Sequence, residues 1–284
     1  MRGADDLLLA GDTWGKPPWD VIFLHGGGQT RRAWGKAPDA LARLGLSVLN
    51  LDLRGHGESS WDPPGRYSHR DHARDLAAIL KPGHRTVLIG ASLGGVTSLT
   101  ASHRARDSIR AIVLVDIAPT TQSQGIKNIL DFMTSNPGGF SSIDEAADAV
   151  AKFLPHRKAR PSAQLEHNLR YSPDTARWTW HWDPKTLDFA TDTYLRQQSS
   201  DMTAAVRNLD APMVLVRGQF SDVITSDDVR HFLELSPRAR AAEVPEARHM
   251  VAGDANDVFL QQIQTELEAA LPDWPRRDET ANNG

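Results

Sequence analysis

The sequence has 284 residues, 40% of them hydrophobic and 24% charged, which suits one domain with an elaboration, or two small domains, around a large core. Its 32 basic and 36 acidic residues give a formal net charge of −4, so the composition gives no sign of a nucleic-acid or anionic-membrane partner. Cysteine is absent, which excludes disulfides, thiolate catalysis and cysteine-ligated zinc.

The N-terminal stretch MRGADDLLLAGD has an apolar run of only four residues, preceded by two acids, and does not resemble a signal peptide. No apolar stretch approaches the ~18 residues of a membrane span. We therefore expect a soluble, cytoplasmic protein, monomeric or homodimeric. Its expected partner is a small-molecule substrate, with no nucleic acid and no membrane.

Short apolar runs alternate along the chain with longer segments that carry apolar residues at helical spacing. In chain order these predict strand 21–24, helix 33–44, strand 47–53, helix 67–80, strand 86–89, helix 93–104 and strand 111–115. After an interruption, the pattern predicts strand 213–217, helix 226–235, strand 242–244 and helix 255–271. Apolar strands separated by helices are typical of the α/β class, with a mostly parallel central sheet flanked by helices on both faces.

The interruption contains no strong buried strand, but it has helical patterns at 126–134 and 143–154 and loops that carry proline and tryptophan. A connection of ~90 residues is too long for an ordinary loop. We therefore predict a helical cap over residues 119–209, inserted into a core domain made of 1–118 and 210–272. The polar tail, 273–284, is predicted to be disordered.

The stretch GASLGG (90–95) places one serine among glycines, between a predicted strand and a predicted helix. A strand, Gly-x-Ser-x-Gly and a helix form the context in which a serine serves as a nucleophile on a sharp turn. Such a turn leaves no room for side chains two residues before and after the serine, where Gly90 and Gly94 stand. Ser92 is therefore the predicted nucleophile, although an ordinary glycine-rich turn has the same pattern.

A serine nucleophile needs an imidazole base and a carboxylate that orients it. His249 lies in a predicted loop before the last helix and is the predicted base. We assign Asp222 as the acid because it follows the strand just ahead of the histidine loop, in the chain order Ser, acid, His. Asp116, in VLVDIAP, also follows a strand and is the alternative acid.

The reaction also needs donors for a negatively charged oxygen. The stretch HGGG (25–28) follows the first buried strand, and its bare backbone can approach a substrate. We expect the N–H of Gly27 to be one donor, with Gly28 as the less favoured choice. The N–H of Leu93, next to the nucleophile, is the expected second donor.

With these motifs the chain resembles the α/β-hydrolase superfamily, in its serine-nucleophile branch with a cap domain, from residue 21 to about 271. DLRGHGES (52–59) resembles a structural turn of that family, and HMVAGDANDVF (249–259) resembles its histidine loop. Arg248 stands where relatives often have glycine, which puts transferred substrate assignments in doubt. Epoxide hydrolases and haloalkane dehalogenases carry aspartate at the position of Ser92, so those activities are not expected.

The predicted cap is rich in aromatic residues, and RWTWHWD alternates tryptophan with polar residues, so that the rings share one side if the chain is extended. The rings could line an apolar substrate pocket or could attach the cap to the core. The residues that we assign to the pocket are Gly28, Phe132, Met133, Trp178, Trp180 and Trp182.

The resemblance implies a serine hydrolase of the carboxylesterase type, without cofactor or metal, that cleaves an ester or lactone of a bulky apolar substrate through an acyl-enzyme. The same triad serves hydrolases that cleave a carbon–carbon bond beside a ketone, and cofactor-free perhydrolases. A non-catalytic ligand receptor on the same fold is the remaining alternative, and the complete set of catalytic residues argues against it.

Overall fold

The computed structural model describes residues 1–121, 123–155, 165–189, 191–254 and 256–276. A sheet of seven strands crosses the molecule in the order β1-β3-β2-β4-β5-β8-β9. These are β1 (Gly11–Trp14), β2 (Val21–Leu24), β3 (Val48–Leu51), β4 (Thr86–Ala91), β5 (Ile109–Val115), β8 (Met213–Gly218) and β9 (Ala239–Val244). All neighbours pair in parallel except β1, an antiparallel edge strand that the sequence did not predict. The predicted α/β class and mostly parallel sheet are confirmed.

Helices cover both faces of this sheet, because successive strand residues point to opposite sides. Ile22 and Leu24 of β2 belong to one buried cluster, while Val21 and Phe23 belong to the other. Burying each such side chain stabilises the fold by roughly 1.5–3 kcal/mol. The helices are α1 (Ala37–Ala42), α2 (His69–Ile79), α3 (Leu93–Ala105), α4 (Ser123–Thr134), α5 (Ile143–Phe153), α6 (Asp192–Asn208), α7 (Ser226–Leu235), α8 (Val251–Asp254) and α9 (Asn256–Ala270).

The segment between β5 and β8, residues 119–209, is called the insertion below. It contains α4, α5 and α6 and also an antiparallel hairpin of β6 (Leu169–Ser172) and β7 (Arg177–Trp180). The prediction of a helical cap is therefore incomplete, because it omits this hairpin. Its small core is separate from the sheet and contains Met133, Phe140, Ala146, Leu169, Trp180 and Trp182. By contrast, Met202, Ala205 and Val206 of α6 belong to a cluster on the sheet.

The predicted disordered tail begins with folded residues. Trp274 is 3% exposed in the core cluster with α9, and the guanidinium of Arg110 lies 5.8 Å from its ring centre. The prediction of disorder is therefore wrong for residues 273–276, because the buried ring of Trp274 anchors this segment to the core. Residues 277–284 of the predicted tail lie outside the described residues. None of the helices in the described part of the chain is long and apolar enough to cross a membrane.

The carboxyl ends of four neighbouring parallel strands bring distant loops together at one edge of the sheet. Leu24 of β2 pairs with Gly90 of β4, and Ala91 of β4 pairs with Val115 of β5. On the far side of β5, Val115 pairs with Val216 of β8. The residues that follow these positions therefore lie side by side, and they include the HGGG stretch, Ser92 and Asp116.

Candidate active site

Ser92 lies on the turn between β4 and α3. Its backbone angles, φ 43° and ψ −111°, are ones that residues other than glycine rarely adopt. Such a conformation costs of order 1–3 kcal/mol and is kept only where the surrounding structure enforces it. The Ser92 N–H donates to the carbonyl oxygen of Val115 at 3.2 Å, which fixes the turn against the neighbouring strand. The side chain is half-buried, at the start of a helix whose positive end faces it.

The two flanking glycines are required by close approach of the backbone. A Cβ atom on Gly90 would lie 2.4 Å from the carbonyl carbon of Gly94, and one on Gly94 would lie 2.0 Å from the carbonyl oxygen of Leu24. Real Cβ atoms do not approach backbone this closely. The glycines therefore allow the helix to begin directly behind the serine.

His249 is oriented by a carboxylate, but the carboxylate is that of Asp116. Nδ1 of His249 lies 2.8 Å from Oδ2 of Asp116, whose side chain is completely buried. Asp116 follows β5 with φ 50° and accepts two further hydrogen bonds, from the Gly218 N–H at 3.0 Å and from the Ser221 hydroxyl at 2.6 Å. Because a carboxylate only accepts, Nδ1 carries the proton and Nε2 is left free to act as a base.

The prediction that Asp222 is the orienting acid is therefore wrong. Its side chain is exposed, and no described residue forms a hydrogen bond or ion pair with it. Its neighbour Ser221 points to Asp116 instead. Strands β5 and β8 lie side by side, so both aspartates follow strands that end at the same edge of the sheet, and chain order alone could not separate them.

Ser92 and His249 line one small pocket, without a hydrogen bond between them in the part of the chain that the structure describes. In enzymes without substrate such contacts are often loose and shorten when substrate binds. The pocket is lined by Gln29, Ala33, Trp34, Ala91, Ser92, Val115, His249, Met250, Val251, Ala252 and Gly253. Sequence reasoning missed Gln29, Trp34 and Met250, although each lies close in sequence to a predicted motif.

The HGGG stretch forms a tight turn in which most of the backbone polar groups are already bonded. The Gln29 N–H donates to the Gly26 carbonyl at 3.1 Å, and the Gln29 side chain accepts from the Gly26 N–H at 3.2 Å. Gly28 has φ 69°, and its N–H donates to Nε2 of His56 at 3.2 Å. Among the described residues, no acceptor pairs with the Gly27 N–H, which leaves it for a ligand.

His25, the buried residue that precedes this turn, forms hydrogen bonds that hold the turn in place. Its Nε2 accepts from the Leu53 N–H at 2.9 Å, so the proton is on Nδ1, which donates to the Gly26 carbonyl at 2.8 Å. Burial lowers the pKa of His25, which favours this neutral form. The second expected donor, the N–H of Leu93, is at the first position of α3 and has no acceptor within the helix.

The predicted pocket residues of the insertion fall into two groups. Met133 lies beside the HGGG turn, since a Cβ on Gly28 would lie 3.1 Å from its methyl carbon. The four aromatic residues pack within the insertion instead. Trp180 and Trp182 stack with ring centres 5.0 Å apart, Phe132 stacks on Phe153 at 4.2 Å, and Trp178 contacts Tyr171 at 5.1 Å. Neither these four residues nor Gly28 and Met133 line the pocket shared by Ser92 and His249.

A model of the alpha/beta hydrolase family matches residues 21–262. Esterase Rv0045c of Mycobacterium tuberculosis is 29% identical over 272 residues, which cover 90% of this chain and 85% of that protein. A solved structure of the same esterase superposes with a TM-score of 0.74 at 26% identity, over 94% of this chain and 90% of that one. The sn-1-specific diacylglycerol lipase ABHD11 of Danio rerio is 27% identical, over 94% of this chain and 85% of that protein.

A third relative is the 2-(acetamidomethylene)succinate hydrolase of Mesorhizobium japonicum, 26% identical over 79% of both chains. A solved structure of E-2-(acetamidomethylene)succinate hydrolase superposes with a TM-score of 0.77, over 94% of this chain and 97% of that one. At 21% identity, this superposition supports the fold alone.

Proposed function

This chain belongs to the alpha/beta hydrolase family, and we propose from this membership that it is a serine esterase with Ser92 as nucleophile, His249 as base and Asp116 as orienting acid. The observation that carries the proposal is the buried hydrogen bond between Asp116 and His249, in a site where His249 shares a pocket with a serine on a strained turn. The names of the mycobacterial esterase and the zebrafish lipase support ester bonds as the target.

The proposed reaction begins when Nε2 of His249 takes the proton of the Ser92 hydroxyl and the serine oxygen bonds to the ester carbonyl carbon. Asp116 accepts a hydrogen bond from the Nδ1–H of the imidazolium and stabilises its positive charge. As the tetrahedral intermediate collapses, the bond to the alkoxy oxygen breaks and His249 returns the proton to the leaving alcohol. Water then attacks the carbonyl carbon of the acyl-enzyme while Nε2 of His249 takes its proton. The bond between that carbon and the serine oxygen breaks, and His249 returns the proton to Ser92 as the acid leaves.

The negative charge of the intermediate falls on the former carbonyl oxygen. We assign the N–H groups of Gly27 and Leu93 as its donors, because Gly28 already donates to His56 and Gly27 does not have a partner among the described residues. Each such donor contributes typically 10²–10³ in rate. The N-terminal end of α3 adds a favourable partial positive charge.

We propose that the insertion acts as a cap that limits the size of the substrate. Met133 lies against Gly28 in the donor turn, so it stands beside the place of the reacting carbonyl. The proposed substrate is an ester or lactone whose apolar acyl group contacts Met133 and Met250. The tryptophans pack within the insertion, so we do not assign them to the acyl site.

The test is hydrolysis of p-nitrophenyl esters of increasing acyl length by the wild type and by Ser92→Ala. We expect turnover that depends on chain length, and a loss of at least about 10⁴-fold in the variant, because removing a triad nucleophile leaves only binding and oxyanion stabilisation. Ser200→Ala, which changes an exposed serine on α6, is the matched control and should retain wild-type rates. Equal activity of the wild type and Ser92→Ala would rule out Ser92 as the nucleophile.

A further inference from the structure

The peptide groups on either side of Gly28 are held by two histidines that take no part in the proposed proton transfers. The Gly28 N–H donates to Nε2 of His56 at 3.2 Å. The Gly28 carbonyl accepts a long hydrogen bond from Nε2 of His181, at 3.4 Å. His56 lies in the core, after β3, whereas His181 belongs to the insertion and follows β7.

The position of the proton on each ring follows from its other partner. Nδ1 of His56 faces the carbonyl of Arg54 at 3.0 Å, so it carries the proton and Nε2 accepts. Nδ1 of His181 accepts the Gly57 N–H at 2.7 Å, so Nε2 carries the proton and donates to Gly28. Both rings are buried, and burial lowers the pKa of His56 to about 3 and that of His181 well below its usual value. Both are therefore neutral, as these hydrogen bonds require.

His181 lies where the insertion is attached to the core. Its backbone N–H donates to the Asn168 carbonyl at 3.0 Å, which fixes the ring relative to the hairpin of the insertion. Close by, Arg170 donates to the Gly57 carbonyl at 2.6 Å, and the Asp183 N–H donates to the Gly55 carbonyl at 2.8 Å. One ring therefore touches both the docking loop, residues 55–57, and the turn that holds the oxyanion donor.

The turn needs such support because its two central residues are both glycine. A peptide group between two glycines reorients at little steric cost. If the Gly27–Gly28 peptide turned over, the Gly28 N–H would leave His56 and the turn would lose the shape that presents the Gly27 N–H. His56 holds the Gly27–Gly28 peptide directly. His181 holds the following peptide, Gly28–Gln29, and so opposes the change by fixing the far side of Gly28.

We propose that His181 is a positioning residue of the insertion. It holds the Gly28–Gln29 peptide while His56 holds the Gly27–Gly28 peptide, and so makes the oxyanion donor turn competent only when the insertion is docked. The proposal rests on the proposed function, because it uses Gly27 as the oxyanion donor. It predicts that removal of the ring lowers the rate of the chemical step more than it weakens substrate binding.

The test compares His181→Ala, His181→Gln and His167→Ala by kcat per active site, with active sites counted by fluorophosphonate titration. We expect His181→Ala to lower kcat by about 10–10²-fold, part of the loss of a full oxyanion donor, with KM changed less than about threefold. Glutamine can accept from Gly57 and donate to Gly28, so it should recover part of the loss. His167 is exposed on the same insertion, and its replacement should change nothing.

Two further readouts separate positioning from a general loss of structure. Affinity for a trifluoromethyl ketone, whose adduct with the serine places an oxyanion in the hole, should fall in His181→Ala by the same factor as kcat/KM. Exchange of the Gly28 amide hydrogen, followed by NMR of 15N-glycine-labelled protein, should become faster in His181→Ala and stay unchanged in His167→Ala. Unchanged exchange, or a normal kcat per titrated site, would overturn this inference. A wild type without ester turnover would instead overturn the proposed function, and the exchange measurement would still decide whether His181 holds Gly28.

Discussion

Nδ1 of His249 lies 2.8 Å from Oδ2 of Asp116, a residue 133 positions earlier in the chain. We expect Asp116→Asn to lower kcat by about 10³–10⁴-fold, because an amide in this place favours the wrong tautomer of the imidazole. Asp222→Asn is the matched control, since Asp222 follows the neighbouring strand β8 but is exposed. Its kcat/KM should stay within about twofold of the wild type.

Steady-state kinetics on one ester substrate measures both variants. A large loss in Asp222→Asn with a small one in Asp116→Asn would show that the acid follows β8 after all. Equal small losses in both would mean that neither carboxylate orients His249 during the reaction.

Gly218 lets the histidine loop pass close to the end of β8. A Cβ on this glycine would lie 2.4 Å from the carbonyl oxygen of Arg248 and 2.8 Å from that of Ala247. Gly218→Ala should therefore shift His249 away from Asp116, lower kcat/KM by roughly 10²-fold and destabilise the fold by about 1–3 kcal/mol.

Gly138→Ala serves as the control for this glycine, because an added Cβ there meets nothing within 4 Å. Kinetics and urea unfolding of both variants provide the measurement. An active, stable Gly218→Ala protein would show that the loop can move without harm to the site.

Trp180 distinguishes a packing role of the tryptophans from a role in the substrate pocket. It is 8% exposed, stacks on Trp182 and meets Phe140 edge-on at 5.0 Å. Trp180→Ala should cost about 3–5 kcal/mol of stability in the insertion, while the preference for acyl chain length should not change in active protein. Trp178→Ala, at a half-buried position, should cost less. Normal stability with an altered chain-length profile would instead return Trp180 to the pocket.

His72 makes stability depend on pH. It is buried with no hydrogen-bond partner for Nδ1 among the described residues, and burial holds its pKa well below the usual value. In the unfolded chain its pKa is ordinary, about 6.5. As the pH falls below that value, only the unfolded state takes up the proton, so stability falls with pH.

His72→Leu removes this contribution. The stability of the variant relative to the wild type should rise as the pH falls from 7 to 5, by about 2 kcal/mol at pH 5. Urea unfolding at both pH values measures the difference, and the exposed His167, changed in His167→Leu, is the control. A difference that does not vary with pH would show that His72 is protonated in the folded protein.

The sequence predicts those parts of the site that local chemistry determines. Ser92 and its flanking glycines form one short stretch, in which close contacts with neighbouring backbone require glycine at positions 90 and 94. The buried strands follow from continuous apolar runs in the sequence. The motif alone favours Gly27 over Gly28 as the donor, and the structure adds a physical reason, because the Gly28 N–H already donates to His56.

The remaining parts depend on which strands become neighbours. Asp116 and Asp222 each follow a strand, and only the packing of the Ser221–Asp222 loop shows which carboxylate is buried beside His249. The sequence does not reveal strand β1, because its residues, GDTW, contain no apolar run. This composition is compatible with its partly exposed place at the edge of the sheet. The contact of His181 with Gly28 joins residues 153 positions apart, and no local pattern carries that information.

The most direct test of the central claim is to identify the residue that a covalent, active-site-directed inhibitor modifies. The protein is treated with a fluorophosphonate that mimics an ester, and peptides are analysed by mass spectrometry, for the wild type and Asp116→Asn. We predict one adduct on Ser92, formed much more slowly in Asp116→Asn because His249 is no longer oriented. An adduct on another residue, or equal labelling rates in the two proteins, would contradict the assignment of Ser92, His249 and Asp116 as the catalytic set.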